Sequence, residues 1–282
     1  MRRPEDVKQR IANIGQIEEI IVAMRGLAAA HSHDAQQHLV AIRAHEATIA
    51  TAIAQAMTYL PTPEPAGAAG QGDGRLLRIV IGAEQGFSGT YNERIIAAAL
   101  DGTGKEPATS YLVIGQRCIG EFAMRGANPA WSAAMVSRVS DAPALASRMA
   151  DALFERINSG RVHRVELVSA RPGVPDYTVG TISVLPFEFG RFKAATGQHL
   201  PMLTLRPDEL LAGLIEEYVF TELCEALILG FAAENDARMR AMTRARSNVE
   251  RISADLKLEY NQGRQEQTTT EIIELSASAG QD

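Results

Sequence analysis

Cysteine is almost missing from this chain: Cys118 and Cys224 are the only two in 282 residues. Two thiols so far apart make no disulfide framework, and a reducing compartment is the expected setting. Aromatic residues supply only 5% of the sequence, which argues against a bulky core and for helices packed closely through alanine. No run of 18 apolar residues occurs, so no membrane span is expected. Positive charge is in deficit, with a formal net charge of −6; that balance excludes the basic footprint of a nucleic-acid-binding protein. The opening Met1-Arg2-Arg3-Pro4-Glu5-Asp6 leads straight into helical spacing, without a signal or transit pattern. Proline, too, is missing from Asp208 to Leu275.

That proline-free stretch carries Leu211, Leu214, Tyr218, Phe220, Leu223, Leu227, Phe231, Met239, Met242, Val249, Ile252 and Leu256, mostly three, four or seven apart. The spacing predicts one helix with an apolar seam. At 1.5 Å per residue it would be roughly 100 Å long, so it needs a partner along its length or a cavity to occupy. A second long helix is predicted from Glu5 to Leu60, with Val7, Ile11, Ile14, Ile17, Ile21, Met24 and Ala28 in its seam, continued by Ala35, Leu39, Ile42, Ile49, Ile53 and Met57. Val7 to Ala28 is six steps over 21 residues, an average of 3.5, the repeat of a left-handed coiled coil. The run from Gly26 through Ala28-Ala29-Ala30 substitutes small residues, which let a neighbouring helix or subunit come close.

Between the helices the composition changes. Residues 61–74 open on Pro61-Thr62-Pro63-Glu64-Pro65 and continue in glycine and alanine, the make-up of a linker. Strands are predicted at Leu76–Ile81, Tyr111–Ile114, Val162–Val168 and Tyr177–Leu185, separated by helices at Asn92–Leu100, Arg117–Met124 and Ala142–Asn158. This alternation predicts a mainly parallel sheet flanked by helices. The expected class is therefore mixed α+β. A long antiparallel coiled coil is formed by the N-terminal helix (1–60) and the C-terminal helix (208–282). An α/β domain (75–195) is inserted between them, and residues 196–207 form the connection.

Chemistry is hard to find. Gly82 to Gly89 follows a strand and precedes a helix, where a phosphate loop would sit, but it has neither Gly-x-Gly-x-x-Gly nor Gly-Lys-Ser/Thr. Ser88 lies in Gly86-Phe87-Ser88-Gly89, which does not match a nucleophile elbow; a hydrolase would need it joined to His163 or His199 and a carboxylate. Turn glycines closing the strand–helix junction are the simpler reading. His31, His33 and His38 contain no i, i+4 pair for a helical metal site. Glu18-Glu19 and Glu216-Glu217 are read as solvated helix faces. Arg238, Arg240, Arg244 and Arg246 form either a solvated face or a contact for acidic partner loops. No cofactor, metal or catalytic residue is assigned.

Several motifs resemble one family. Ala237-Arg238-Met239-x-Ala241-Met242, Asn248, Leu256-x-Leu258-x-Tyr260-Asn261-x-x-Arg264-Gln265 and Thr269-x-Glu271-Ile272 are similar to the C-terminal signature of the gamma subunit of rotary F-type ATP synthases. Arg10-Ile11-x-x-Ile14, Gln16-Ile17 and Ala23-Met24-x-x-Leu27-Ala28-Ala29-Ala30 resemble its first helix, and Gly86-Phe87-Ser88-Gly89-x-Tyr91-Asn92 its turn after the first strand. The resemblance implies a non-catalytic rotor shaft carrying torque between a membrane ring of c subunits and the ring of alpha and beta subunits, where ATP is made or hydrolysed. It implies an epsilon subunit at the foot, membrane contact only through the complex, and a place on the cytoplasmic face of a bacterial membrane. Carried over by motif, Arg264 and Gln265 contact a beta-subunit loop, with Thr269 and Glu271 nearby and Met24 opposite that region of the coil. The chain departs from the family at His31-Ser32-His33-Asp34, at Thr268, at Ser88 and at Gly15. These departures point to a divergent bacterial branch, with sodium rather than proton coupling left open. The competing readings are a coiled-coil tether unrelated to ATPases and an α/β hydrolase using Ser88.

Overall fold

The computed structural model describes residues 4–60, 75–101, 109–160, 162–192 and 202–279; the expected linker at 61–74 and the first half of the connection at 196–207 lie outside them. Two terminal helices bracket everything else: α1, Pro4–Met57, and α5, Pro207–Ala279. Both begin on proline followed by acidic residues (Glu5 and Asp6; Asp208 and Glu209). Proline's missing N–H is harmless in a first turn, and carboxylates there face the positive end of the helix dipole. Two compact units follow. Residues 1–28 with 239–282 form one, and residues 29–238 the other.

In the larger unit, five strands lie in the order β3-β2-β1-β4-β5. They are β1 (Arg75–Ile81), β2 (Ser110–Ile114), β3 (Trp131–Ala133), β4 (Val162–Arg171) and β5 (Thr178–Leu185). The first four pair in parallel, and β5 runs antiparallel to β4, with Val168 opposite Thr181. Helices α2 (Tyr91–Leu100), α3 (Gln116–Met124) and α4 (Ala142–Asn158) cross between strands. The central β1 alternates between two cores because successive side chains point to opposite faces. Leu77, Ile79 and Ile81 join α4 and the Leu223–Ala232 stretch of α5, while Val80 joins Tyr91, Ile95 and Ile96 of α2 and Phe122 of α3. A mostly apolar strand, interrupted by Arg78 and buried on both sides, is what a parallel sheet demands. The three-residue strand β3 is an addition to the predicted set.

Within this unit α1 runs against α5 in the opposite sense. The Ser32 hydroxyl donates to Asp236 at 3.1 Å, Arg43 to Glu225 at 2.9 Å, and the Tyr218 hydroxyl to Glu46 at 2.8 Å. Moving forward along one helix moves backward along the other. Ala35, Leu39, Ile49 and Ile53 are buried as the seam predicted.

The smaller unit is also an antiparallel pair. Ile21, Met242 and Val249 are buried together, with Ile14, Met24, Ala241 and Ala245 packed on them. Nearer the chain ends, Pro4 lies beside Gly263, where an added Cβ would come 3.7 Å from the proline Cγ. Two residues assigned to the seam, Ile17 and Ile252, are exposed instead. A two-helix contact buries a narrower stripe than the apolar face of either helix. Gly26, read as a point of close approach, has nothing within 4 Å of its would-be Cβ; the small residues that are enclosed are Ala28 and, in the larger unit, Ala35.

Candidate functional site

The turn between β1 and α2 occupies the carboxyl edge of the sheet, beside the point where strand order reverses from β1–β2 to β1–β4, the usual ligand crevice of such folds. Its backbone has the form of an anion cradle. The successive amides of Glu84 and Gln85 point at one position, and Phe87 and Gly89 both have φ of 63°. That position is filled by the chain itself. The Glu234 carboxylate of α5 accepts from the Glu84 amide at 3.1 Å and the Gln85 amide at 3.2 Å. Arg238, one turn along α5, donates to Glu234, to the Gly86 carbonyl at 3.2 Å and to the Asn235 side-chain oxygen at 3.1 Å. Both members of the pair are buried, Glu234 at 2% and Arg238 at 7% exposure.

The surrounding bonds close the remaining gaps. Asn92 Oδ1 accepts from the Ala83 amide at 2.8 Å, and the Tyr91 hydroxyl donates to the Gly230 carbonyl at 3.1 Å. Glu84 Oε2 accepts from the Gln116 amide at 3.0 Å and the Met135 amide at 2.7 Å, which uses up the start of α3 in the same way. Gly82 is required by the close approach of α3: a Cβ there would meet the Cys118 Cβ and Sγ at 2.3 Å. The Glu84 and Gln85 amides, which would be the first to hold a phosphate here, are already bonded to a carboxylate of this chain.

Ser88 is buried, and no hydrogen bond joins it to a histidine among the described residues. His163 is exposed, and His199 lies outside the described residues. The thiols of Cys118 and Cys224 are pushed up to about 12, chiefly by burial, so neither is a nucleophile near neutral pH. His31 packs on the Phe231 ring at 5.5 Å, His33 meets Gln37 and His38 meets Asp34. Of the expected arginine patch, Arg238 is a correction: it is buried in the turn just described rather than solvated or offered to a partner. Arg246 pairs with Glu250 at 2.9 Å along the helix.

The residues expected to meet partners separate into two groups. Arg264, Gln265, Thr269 and Glu271 are exposed on α5. Thr269 donates back to the Gln265 carbonyl at 2.9 Å, and Glu271 accepts from Gln267 at 2.9 Å. Met24 is not among them. It packs against Ile21, Met242 and Val249, because antiparallel pairing sets the level of Gly263 against Pro4. The Glu234–Arg238 arrangement went unrecognised in the sequence, where the only signals were an i, i+4 acid–base pair and a glycine turn without a phosphate motif.

Comparison with known proteins bears on the whole chain. The family model described as ATP synthase matches residues 3–280. The ATP synthase gamma chain of Beutenbergia cavernae is 27% identical over 285 residues, covering 96% of this chain and 95% of that one. The gamma chain of Moorella thermoacetica is 27% identical over 283 residues, with 99% of each chain covered. Among solved structures, a chain of the Euglena gracilis mitochondrial ATP synthase OSCP/F1/c-ring assembly aligns with a TM-score of 0.64 at 14% identity, covering 98% of this chain and 93% of that one. A chain of the Tetrahymena thermophila central stalk and c ring aligns at 0.57 and 17% identity, covering 80% and 99%. These two share the fold of paired terminal helices around a mostly parallel sheet. A family match over residues 3–280, with gamma chains as relatives over nearly the whole length, places this protein in the ATP synthase family, among the gamma chains.

Proposed function

We infer that the chain is the central-stalk rotor subunit of a rotary ATP synthase, carrying torque between a membrane c ring and the alpha/beta ring and coupled to proton or sodium transport. The observation that carries this reading is the family match over residues 3–280. The structure supplies a compatible body: two long antiparallel helices, and a turn whose Glu84 and Gln85 amides are taken by Glu234 of the same chain. The tether reading leaves the end-to-end match unexplained, and the hydrolase reading leaves Ser88 without a base.

Catalysis belongs to the alpha and beta subunits, and an epsilon subunit completes the stalk at the cytoplasmic face of a bacterial membrane. No helix among the described residues is long and apolar enough to cross a membrane, so attachment runs through the assembly. The exposed Arg264, Gln265, Thr269 and Glu271 form the contact with a beta-subunit loop. Met24, partly buried in the helix pair, lies near a beta-subunit loop as well.

Affinity purification of the tagged chain from its own cells should bring down alpha and beta in molar excess, together with epsilon. Recovery of the chain alone from cells that contain an intact ATP synthase overturns the assignment. In the assembled complex, Arg264→Ala or Gln265→Ala should lower ATPase or coupling without altering the melting of the α/β domain. Rates equal to those of the parent complex refute the contact.

A further inference from the structure

We propose that Glu234 and Arg238 are positioning residues that form a rotational clasp, fixing the angle of α5 against the sheet so that the α/β domain and α5 turn as one body. The inference rests on the rotor reading and concerns how torque passes within this chain.

The contact between α5 and the sheet is otherwise largely apolar. Leu223, Leu227 and Phe231 of α5 share a core with Ile79 and Ile81 of β1. Apolar burial is non-directional, so such a face resists separation far better than it resists rolling. Gly230 worsens this. It lets α5 come close enough that an added Cβ would lie 2.6 Å from Ile81 Cγ2, so at this level α5 itself contributes no side chain and the contact is apolar, without a directional bond. The directional bonds are concentrated just beyond, between Gly230 and Arg238. Glu234 reaches two successive amides, Arg238 reaches the carbonyls of Gly86 and Gln85, and Tyr91 reaches the Gly230 carbonyl. A carboxylate on paired amides and a guanidinium on carbonyls are the stronger class of hydrogen bond, and each tolerates little rotation.

Stability alone is a weak account of this pair. Two charges buried at 2% and 7% exposure cost desolvation that an apolar pair would not. The best-attested use of such groups is to fix register between packed elements. Here the register is the roll angle of α5, and an anion cradle filled by a helix side chain sets it from both sides: amides grip the acid, and carbonyls grip the base.

The test uses the assembled, membrane-bound complex. ATP hydrolysis and ATP-driven ion pumping are measured on the same inverted vesicles carrying parent, Glu234→Ala, Glu234→Gln or Arg238→Lys chains. Assembly is verified by subunit stoichiometry. The clasp predicts that Glu234→Ala retains most of the hydrolysis rate while pumping per ATP falls severalfold. Glu234→Gln should fall less, because its amide oxygen still accepts from one backbone N–H. Acetate or formate, small enough to enter the vacated cradle, should partly restore pumping in Glu234→Ala and leave the parent and Arg238→Lys unchanged. A purely structural role would lower the amount of complex without changing pumping per ATP. Parental pumping per ATP in an assembled Glu234→Ala complex overturns the clasp; if that variant does not assemble, the same result in Glu234→Gln and Arg238→Lys overturns it. The rotor reading would survive either outcome, since it fails only if the parent chain is not found in the complex.

Discussion

Glu166 and Glu222 are carboxyls of the same unit driven in opposite directions. Burial alone would raise Glu166, but hydrogen bonds from Arg78, at 2.9 Å, and from Arg164 outweigh it and hold the carboxyl below the usual glutamate range. For Glu222 burial wins over Arg191 at 3.0 Å, and its Oε2 is enclosed without a hydrogen-bond partner. A lowered folded pKa means stability that is present above the ordinary value and lost as pH falls through the lowered one; a raised pKa gives stability present below the ordinary value and lost as pH rises through the raised one. Glu166→Gln should therefore destabilise the chain near neutral pH by roughly 2 kcal/mol, with the deficit shrinking below the ordinary glutamate value. Glu222→Gln should stabilise near neutral pH and converge on the parent in acid. Thermal melts across pH decide this, and shifts of the same sign in both variants would contradict it. The cysteines give a second residue-scale expectation. With thiols pushed up to about 12, iodoacetamide at pH 8 should leave both unmodified in the folded chain and alkylate both in urea, as read by mass. Their scarcity in the sequence pointed to a reducing setting, but their burial came only with the fold, since Cys118 is enclosed by Gly82 from a distant loop.

At the scale of elements, the strands and helices of the inserted domain were largely legible because each is a local pattern. Leu76–Ile81 is an apolar run bounded by turn residues, and Ala142–Asn158 keeps helical spacing throughout. Strand β3 was not, since three residues pairing beside β2 carry no period of their own. Nor was the purpose of Gly230, which is set by a side chain 149 positions earlier in the sequence, Ile81. Replacing a mid-helix glycine by alanine gains about 1 kcal/mol in an open position. Gly15, with nothing within 4 Å, should show that gain. Gly230→Ala should show the reverse, because Ile81 is fully buried and, being β-branched, cannot swing its Cγ2 aside; overpacking costs about 1–3 kcal/mol. In an Ile81→Ala background the Gly230→Ala penalty should largely vanish. A double-mutant cycle with no coupling between the two positions would show that the close approach is not what excludes a side chain.

At the scale of the whole molecule, the two terminal helices were legible as antiparallel partners because their seams repeat over many turns, whereas the role proposed for the far end of α5 rests on family motifs alone. Beyond Leu256 the buried seam gives way to exposed residues, including Leu258 at 62% and Ile272 at 61%. Few buried apolar contacts mean low local stability, and proteases cut where helices open. Trypsin should therefore cleave the isolated chain first at Lys257 and Arg264, both exposed, and late at Arg238, which is buried in its pair with Glu234. If alpha and beta enclose this end, the same sites should resist cleavage in the purified complex while exposed arginines of the α/β domain, such as Arg125, are cut as before. Equal cleavage at Arg264 in the free and assembled chains would remove the case for a partner there. Protection lost selectively in the Arg264→Ala complex, followed at Lys257, would tie the enclosure to that side chain's own contact rather than to the bulk of the surrounding ring.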